Sequence, residues 1–381
     1  MINTDSVFIY AQPNDIYDAL IASKQKLTLW QLRKYALDHG FIVPEDIERE
    51  ALCLRIASIP FDHLMLQELS ELLKTESRPP KTSSQKVDGE ISSDTLRDLL
   101  PDLKDKRQRD NISISLKADG SPVIRVAYTD IDHNITRLKQ RKPKEAIIEI
   151  NTTNDGKTTL RYPSDERVKE IVNCILDTID EQENTSRNRF SLNLSEFLPA
   201  QTNDFFFRLI NNIEDLPLGH VVKIGIHKSK SSEDEDDNEE ENDEVSQSLV
   251  SQINKASMSG NDLLASREIQ EFLREGRYYI HTIRWQTQIM SLRDNQDQPI
   301  EGAVRLEAQC SPPDKMTHLS YEAVNYLKYV AEKSNFNSTP AQLSRLLSKN
   351  YVSMIEEAAY KCFTEIKENS CGINGSMQSG D

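Results

Sequence analysis

The segment "RLKQRKPK", residues 137–144, concentrates positive charge, because five of its eight residues are Lys or Arg: Arg137, Lys139, Arg141, Lys142 and Lys144. A nearby segment, "KDKRQR", adds a second cluster that includes Lys106, Arg107 and Arg109. Cations on one surface can bind along a phosphate backbone, because each neutralised phosphate releases a counterion. Each Arg can also donate a bidentate pair of hydrogen bonds to one phosphate. The two clusters predict nucleic-acid binding. The alternatives are a solvated loop and a dock for the protein's own acidic segment.

The charge of the chain is unevenly distributed. The formal net charge is -16, yet residues 231–244 alone hold ten acidic side chains in fourteen positions. Such a block repels itself and cannot bury surface, so we predict a disordered acidic insertion over 229–246. Residues 104–169 contain fifteen Lys and Arg against ten Asp and Glu, a net charge of +5. The middle of the chain is therefore expected to carry a local positive potential.

A second kind of chemistry is suggested by the carboxylates of "YTDIDHN" and of the strand predicted to follow. Asp130 and Asp132 lie at the end of one predicted strand, and Glu149 lies on the next. Three carboxylates on adjacent strands can hold Mg²⁺ in a metal-dependent nuclease. The Lys that usually follows the second-strand acid in such enzymes is missing, and Asp at a strand end is also ordinary turn chemistry. A nuclease is therefore kept as an alternative, and no metal or other cofactor is predicted.

Aromatic residues alternate along the predicted strand "GRYYIHTIRW". Tyr279 and Trp285 share one face, and Arg284 lies on the other. An open sheet face of this composition could stack bases, and packing beneath a helix is the alternative.

The stretch "LTLWQLRKYALDHGF", residues 27–41, resembles the first helix and the Gly-hydrophobic turn of SAP-type DNA-binding modules. The resemblance covers about fifteen residues and implies contact with DNA. The second half of such modules has a Gly-x-Lys step, where this chain has "IVPEDIERE". Residues 1–74 hold seven basic and eleven acidic residues, a net charge of -4. That sign favours a helical docking domain, which would bind a protein partner or a second copy of the chain.

These residues are expected to be positioned by an α+β fold with three parts. We predict an N-terminal helical domain over 1–74, a linker over 75–103 and a small basic domain of sheet plus helix over 104–182. The C-terminal mixed α+β region, 190–367, would include helices at about 320–333 and 341–367, with a disordered tail over 368–381. The last helix is predicted from an apolar stripe: Val352, Ile355, Ala359, Cys362, Phe363 and Ile366.

The remaining sequence features narrow the functional class. The five cysteines are scattered without C-x-x-C spacing, and the familiar nucleotide-binding, metalloprotease and serine-hydrolase motifs are absent. No apolar run is long enough to span a bilayer, and the N-terminus does not resemble a signal peptide, so a cytoplasmic location is expected. We therefore expect a non-enzymatic, nucleic-acid-associated subunit of a larger complex. The alternatives are a scaffold that binds only proteins and the metal-dependent nuclease.

Overall fold

A computed structural model describes most of the chain. The described ranges are 11–73, 80–108, 110–118, 120–153, 156–229, 255–260, 263–274, 276–290, 300–330 and 335–375. Within these ranges, no helix is both long enough and apolar enough to cross a membrane.

Helices and antiparallel strands are both abundant, which confirms the predicted mixture of α and β structure. The helices in the described ranges are α1 (Pro13–Ala22), α2 (Leu29–Asp38), α3 (Arg49–Ala57), α4 (His63–Leu73), α5 (Ser93–Lys106), α6 (Glu166–Glu183), α7 (Pro199–Asn211), α8 (Arg267–Arg274) and α9 (Arg345–Gly375). The strands are β1 (Thr82–Asp88), β2 (Asn111–Leu116), β3 (Pro122–Ile131), β4 (Arg141–Thr152), β5 (Lys157–Pro163), β6 (Arg189–Ser191), β7 (Leu218–Lys228), β8 (Lys255–Ser259), β9 (Tyr278–Met290), β10 (Ile300–Ser311), β11 (His318–Val330) and β12 (Asn335–Phe336).

The chain forms two compact units, and each is discontinuous in sequence. The first comprises 1–79, 92–149 and 171–184, and the second comprises 80–91, 150–170 and 185–381. The predicted boundaries at residues 74, 103 and 182 stay predictions.

The helical part of the first unit is built from α1 to α4. Helix α2 begins at a capping box, in which the Thr28 hydroxyl accepts from the Gln31 N–H at 3.3 Å and Gln31 accepts from the Thr28 N–H at 2.7 Å. The Arg49 guanidinium, on α3, donates to the carbonyls of Leu27 at 2.6 Å and Leu20 at 3.1 Å. These bonds satisfy carbonyls near the end of α1 and the start of α2, and they hold α3 against that turn.

The strands of the first unit form an antiparallel ladder in the order β2–β3–β4. Ile112 pairs with Val126, which pairs in turn with Ala146, and all three side chains are buried. Strands β2 and β3 thus form an antiparallel hairpin. Helices α5 and α6 are joined by the Gln182 amide, which donates to the Asp102 carboxylate at 2.9 Å.

The second unit contains a larger antiparallel sheet in the order β5–β1–β11–β10–β9–β7–β8, with β6 pairing β1 and β12 pairing β11. Its core is formed by side chains of this sheet together with those of α7 and α9. The predicted apolar stripe of α9 is confirmed, because all six of its members are buried.

A buried ion pair fastens α9 to this sheet. The Arg161 guanidinium, on β5, donates to both carboxylate oxygens of Glu356, on α9, at 2.9 and 3.0 Å. The Tyr321 hydroxyl, on β11, donates to the same carboxylate at 2.7 Å and also lies 2.7 Å from the Ser84 hydroxyl, on β1. One carboxylate therefore joins the helix to neighbouring strands through charge-assisted bonds.

A second buried carboxylate, Glu307 on β10, is held between two cations. Its oxygens accept from Lys81 Nζ at 2.6 Å and from Arg284 Nε, on β9. Burial alone raises the pKa of a carboxyl group, but the hydrogen bonds and positive charges of Lys81 and Arg284 outweigh burial, so the pKa of Glu307 lies below its usual value.

Several predicted elements differ from the structure. The helix expected over 320–333 is wrong, because β11 occupies most of that range and pairs with β10. The segment 75–103, interpreted as a linker, contains β1 and most of α5. Of the tail predicted to be disordered, 368–375 belongs to α9. The acidic insertion lies almost entirely outside the described residues.

We predict that Glu307→Gln destabilises the fold at neutral pH by about 3 kcal/mol, because it leaves two cations without their carboxylate. An unfolded Glu has a pKa of about 4.3. The lower pKa of folded Glu307 therefore stabilises the protein above that pH, and this contribution is lost as the pH falls through the folded value. Urea unfolding from neutral to acidic pH should show a weaker pH dependence of the free energy of unfolding in the variant.

Glu301→Gln, a substitution at an exposed position on the same strand, is the control. Equal unfolding midpoints for the two variants would contradict the prediction.

Candidate interaction surfaces

The basic loop, defined as residues 137–144, is anchored to the helices at its start, while Arg137, Arg141 and Lys142 are exposed. Arg137–Lys139 form a 3-10 turn between β3 and β4. Leu138 is only 7% exposed and belongs to the same core as the buried side chains of α1 to α4. Arg137 Nη1 lies 3.6 Å from the Asp15 carboxylate on α1. The loop therefore connects the strands of the first unit to its helices.

Two further cations of the basic loop face carboxylates across the β3–β4 ladder. Lys144 Nζ lies 2.7 Å from the Asp130 carboxylate, and Lys142 Nζ lies 3.8 Å from that of Asp132. All four side chains are more than a third exposed, so each pair contributes about 0–1 kcal/mol and is screened by salt. Part of the positive charge is thus compensated locally.

Other members of the predicted nucleic-acid surface differ in their surroundings. Lys106 donates to Glu181 at 2.7 Å, and this bond raises the pKa of Lys106. Arg107 follows the end of α5 and has contacts of its own. Arg109 and the side chain of Lys139 lie outside what the structure describes. Arg141 is exposed, and no ion pair is found for it among the described residues.

The three carboxylates of the nuclease alternative are not brought together. Asp130 lies opposite Lys142 on the β3–β4 ladder, whereas Glu149 lies opposite Val123, seven residues away. At about 3.4 Å per residue, that separation is roughly 24 Å. Glu149 instead lies 3.3 Å from Lys117 Nζ. Nor do the described ranges contain a group of three or more His, Cys, Asp or Glu side chains able to hold a metal ion.

The interpretation of the aromatic strand as a base-stacking face is wrong for its largest members. Trp285 is fully buried, and Tyr278 and Tyr279 are also buried. All three rings belong to the hydrophobic core of the second unit.

An apolar surface on the helical part of the first unit was not predicted. Trp30, Leu37 and Ile42 have exposed fractions of 68%, 62% and 90%, and we call them the apolar face. Trp30 and Leu37 lie seven residues apart on α2, close to two full turns, so they project from the same side. The opposite side of the helix is buried through Leu32, Tyr35 and Ala36.

A glycine turn places the third member of the apolar face. Gly40 has a positive φ of 81°, which ends α2 in the left-handed conformation that glycine adopts at little cost. The Phe41 N–H then donates to the Ala36 carbonyl at 2.8 Å. The chain emerges from this closed turn with Ile42 in solvent.

The apolar face is bordered by one cation and one anion. Lys34 Nζ lies 5.6 Å from the centre of the Trp30 ring, and Asp38 follows one turn later. No ion pair is found for either residue within the described ranges. The sequence does carry a signal for this face, because Trp30 and Leu37 are out of phase with the buried positions of α2.

Comparisons with known proteins give no family for this chain. No family model matches the sequence, and no curated protein matches it. One solved structure, the di-domain ARO/CYC StfQ from the steffimycin biosynthetic pathway, is 11% identical, with 76% of this chain and 99% of that chain covered and a TM-score of 0.17. A likeness at this level carries no argument about function.

We predict that Leu138→Ala destabilises the first unit by about 2–5 kcal/mol, because it removes a buried side chain and leaves a cavity. Urea unfolding would measure the loss, and hydrogen exchange would locate it in α1 to α4. Leu116→Ala, a change of the same size at an exposed position on β2, is the matched control. If both variants unfold at the same midpoint, Leu138 is not an anchor.

Proposed function

We propose that this protein is a non-enzymatic interaction scaffold that assembles through its N-terminal helices. The observation that carries the proposal is the apolar face, where a Trp, a Leu and an Ile are exposed in a helical part that already has its own core. Large apolar side chains grouped on a surface are typical of protein-binding sites, and Trp is among the residues that contribute most to binding.

The first partner we propose is a second copy of the chain. Lys34 and Asp38 lie one turn apart beside the apolar face, with opposite charges. In an antiparallel pairing of two α2 helices about a twofold axis, Lys34 of each copy meets Asp38 of the other, while Trp30 and Leu37 become covered. Such self-complementarity is what a twofold interface requires.

The two tryptophans allow a direct test, because Trp30 is exposed and Trp285 is fully buried. We expect acrylamide quenching of Trp30 to fall, and its emission to shift to shorter wavelength, as the protein concentration rises. Sedimentation equilibrium should show a monomer–dimer transition over the same range. Leu37→Gln keeps the fluorescent probe and should weaken association by about thirtyfold, the effect of a 2 kcal/mol hot spot.

Leu64→Gln is the matched control, since Leu64 is equally exposed but lies on α4. It should leave the transition unchanged. If the native protein remains monomeric up to about 100 µM and acrylamide still quenches Trp30 at that concentration, self-association is contradicted. Equal weakening by both substitutions would show that the apolar face is not the site.

Nucleic-acid binding remains a second candidate, supported by the exposed side chain of Arg141 and by the weak, screened ion pairs of its neighbours Lys142 and Lys144. Phosphates can replace carboxylates at such positions, because an exposed pair has little free energy to lose. Under this candidate, the basic loop contacts the phosphate backbone.

The test is binding of labelled single- and double-stranded DNA and RNA at low and moderate salt. The comparison is between the native chain and a variant in which Arg137, Lys139, Arg141, Lys142 and Lys144 are all changed to Gln. We expect affinity to fall steeply with salt for the native chain and to be lost in the variant. If neither binds, or both bind equally, the basic loop is not a phosphate contact.

A further inference from the structure

A cleft of about 180 Å³ opens within the second unit, outside the basic loop and the apolar face. Its walls come from the first turn of α7, the end of β7, the start of β9 and the loop before β11. The polar side chains that line it include Thr202, His227, Lys228, Tyr279, Asp314 and Lys315.

The most informative of these side chains is Thr202, which is only 2% exposed yet lines the cleft. Its backbone N–H donates to the Leu198 carbonyl at 2.9 Å within α7. No partner is found for its hydroxyl among the described residues. Because it has no protein partner in the described ranges, this hydroxyl is available to donate to, or accept from, a polar molecule in the cleft.

The cleft is also lined by His227, whose ring orientation is set by hydrogen bonds. His227 Nδ1 lies 2.8 Å from the Lys228 carbonyl, and because a carbonyl oxygen can only accept, Nδ1 carries the proton. The Tyr279 hydroxyl donates to the Pro313 carbonyl at 2.8 Å and lies 3.3 Å from the same nitrogen. Both contacts use Nδ1, so Nε2 is the ring atom left for a ligand.

The charge around the cleft favours an anion. Lys228 and Lys315 supply two positive charges against one negative charge from Asp314. The first turn of α7 also lines the cleft, through Pro199 and Thr202. The positive end of the helix dipole at this turn attracts an anion.

We propose that this cleft binds a small phosphate-type oxyanion, with Lys315 and the Thr202 hydroxyl among its donors. The volume limits the size of the ligand, because pockets for larger organic ligands usually span about 300–1,000 Å³. Inorganic phosphate and a small phosphate monoester share the required chemistry. Two features distinguish the cleft from a helix end alone: the buried residue Thr202, whose hydroxyl has no protein partner in the described ranges, and the fixed orientation of His227.

The experiment is calorimetric titration of the full chain with inorganic phosphate, at constant ionic strength maintained with chloride. Glycerol phosphate forms a second arm that distinguishes a phosphate ester from free phosphate. We expect saturable binding in at least one arm, together with a rise in thermal unfolding temperature that follows ligand concentration.

Lys315→Gln removes a charged donor, and Thr202→Val removes the hydroxyl at nearly constant shape. Each should weaken binding, Lys315→Gln by about tenfold or more. Lys361→Gln, an exposed change on α9 outside the cleft, is the matched control and should bind as the native chain does. Thermal unfolding without ligand shows whether each variant is folded. Absence of binding in both arms, or undiminished affinity in either cleft variant, would overturn the proposal.

Discussion

The Arg161–Glu356 ion pair is the interaction on which the second unit depends most clearly. Removing two charges from water is expensive, and the cost is recovered here by bidentate geometry and by a further bond from Tyr321. With the carboxylate in place, α9 is held in one position against the sheet, and its apolar stripe fills the core. If either member were lost, the other would remain as an uncompensated buried charge.

The elements that could be predicted from the sequence are those in which the local spacing of apolar residues matches the face that is buried in the folded protein. The stripe of α9 repeats at helical spacing, and the core uses that same face. The turn between β2 and β3 carries its own glycine signal. Strand β11 shows the opposite situation, because residues with helical preference, such as Glu322 and Ala323, are held in strand conformation by pairing with β10. Such pairing joins distant residues and leaves little local trace.

The candidate surfaces show why charge runs alone identify partners poorly. The charge run predicts that Lys142 and Lys144 contact phosphate, yet counter-charges for both lie on the neighbouring strand. Leu138, which lies within the basic loop, holds the start of the loop against the core of α1 to α4. A run of Lys and Arg shows only that a segment is rich in cations. The register of the neighbouring strand determines how many of those cations have a carboxylate opposite them and how many can bind a partner. The division of Asp130 and Glu149 between opposite ends of a ladder follows from the same register.

The order in which strands become available during synthesis follows from the topology of the second unit. Thr82, on β1, pairs with Pro163 on one side and with Tyr321 on the other. At ribosomal rates of about 5–20 residues per second, roughly 8–30 seconds separate the synthesis of these two partners. During that interval the Thr82 end of β1 lacks its β11 partner, whereas residues 85–87 of the same strand can already pair with β6. The short strand β6 therefore covers part of the β1 edge before β11 is made, which limits the length of strand open to wrong pairing.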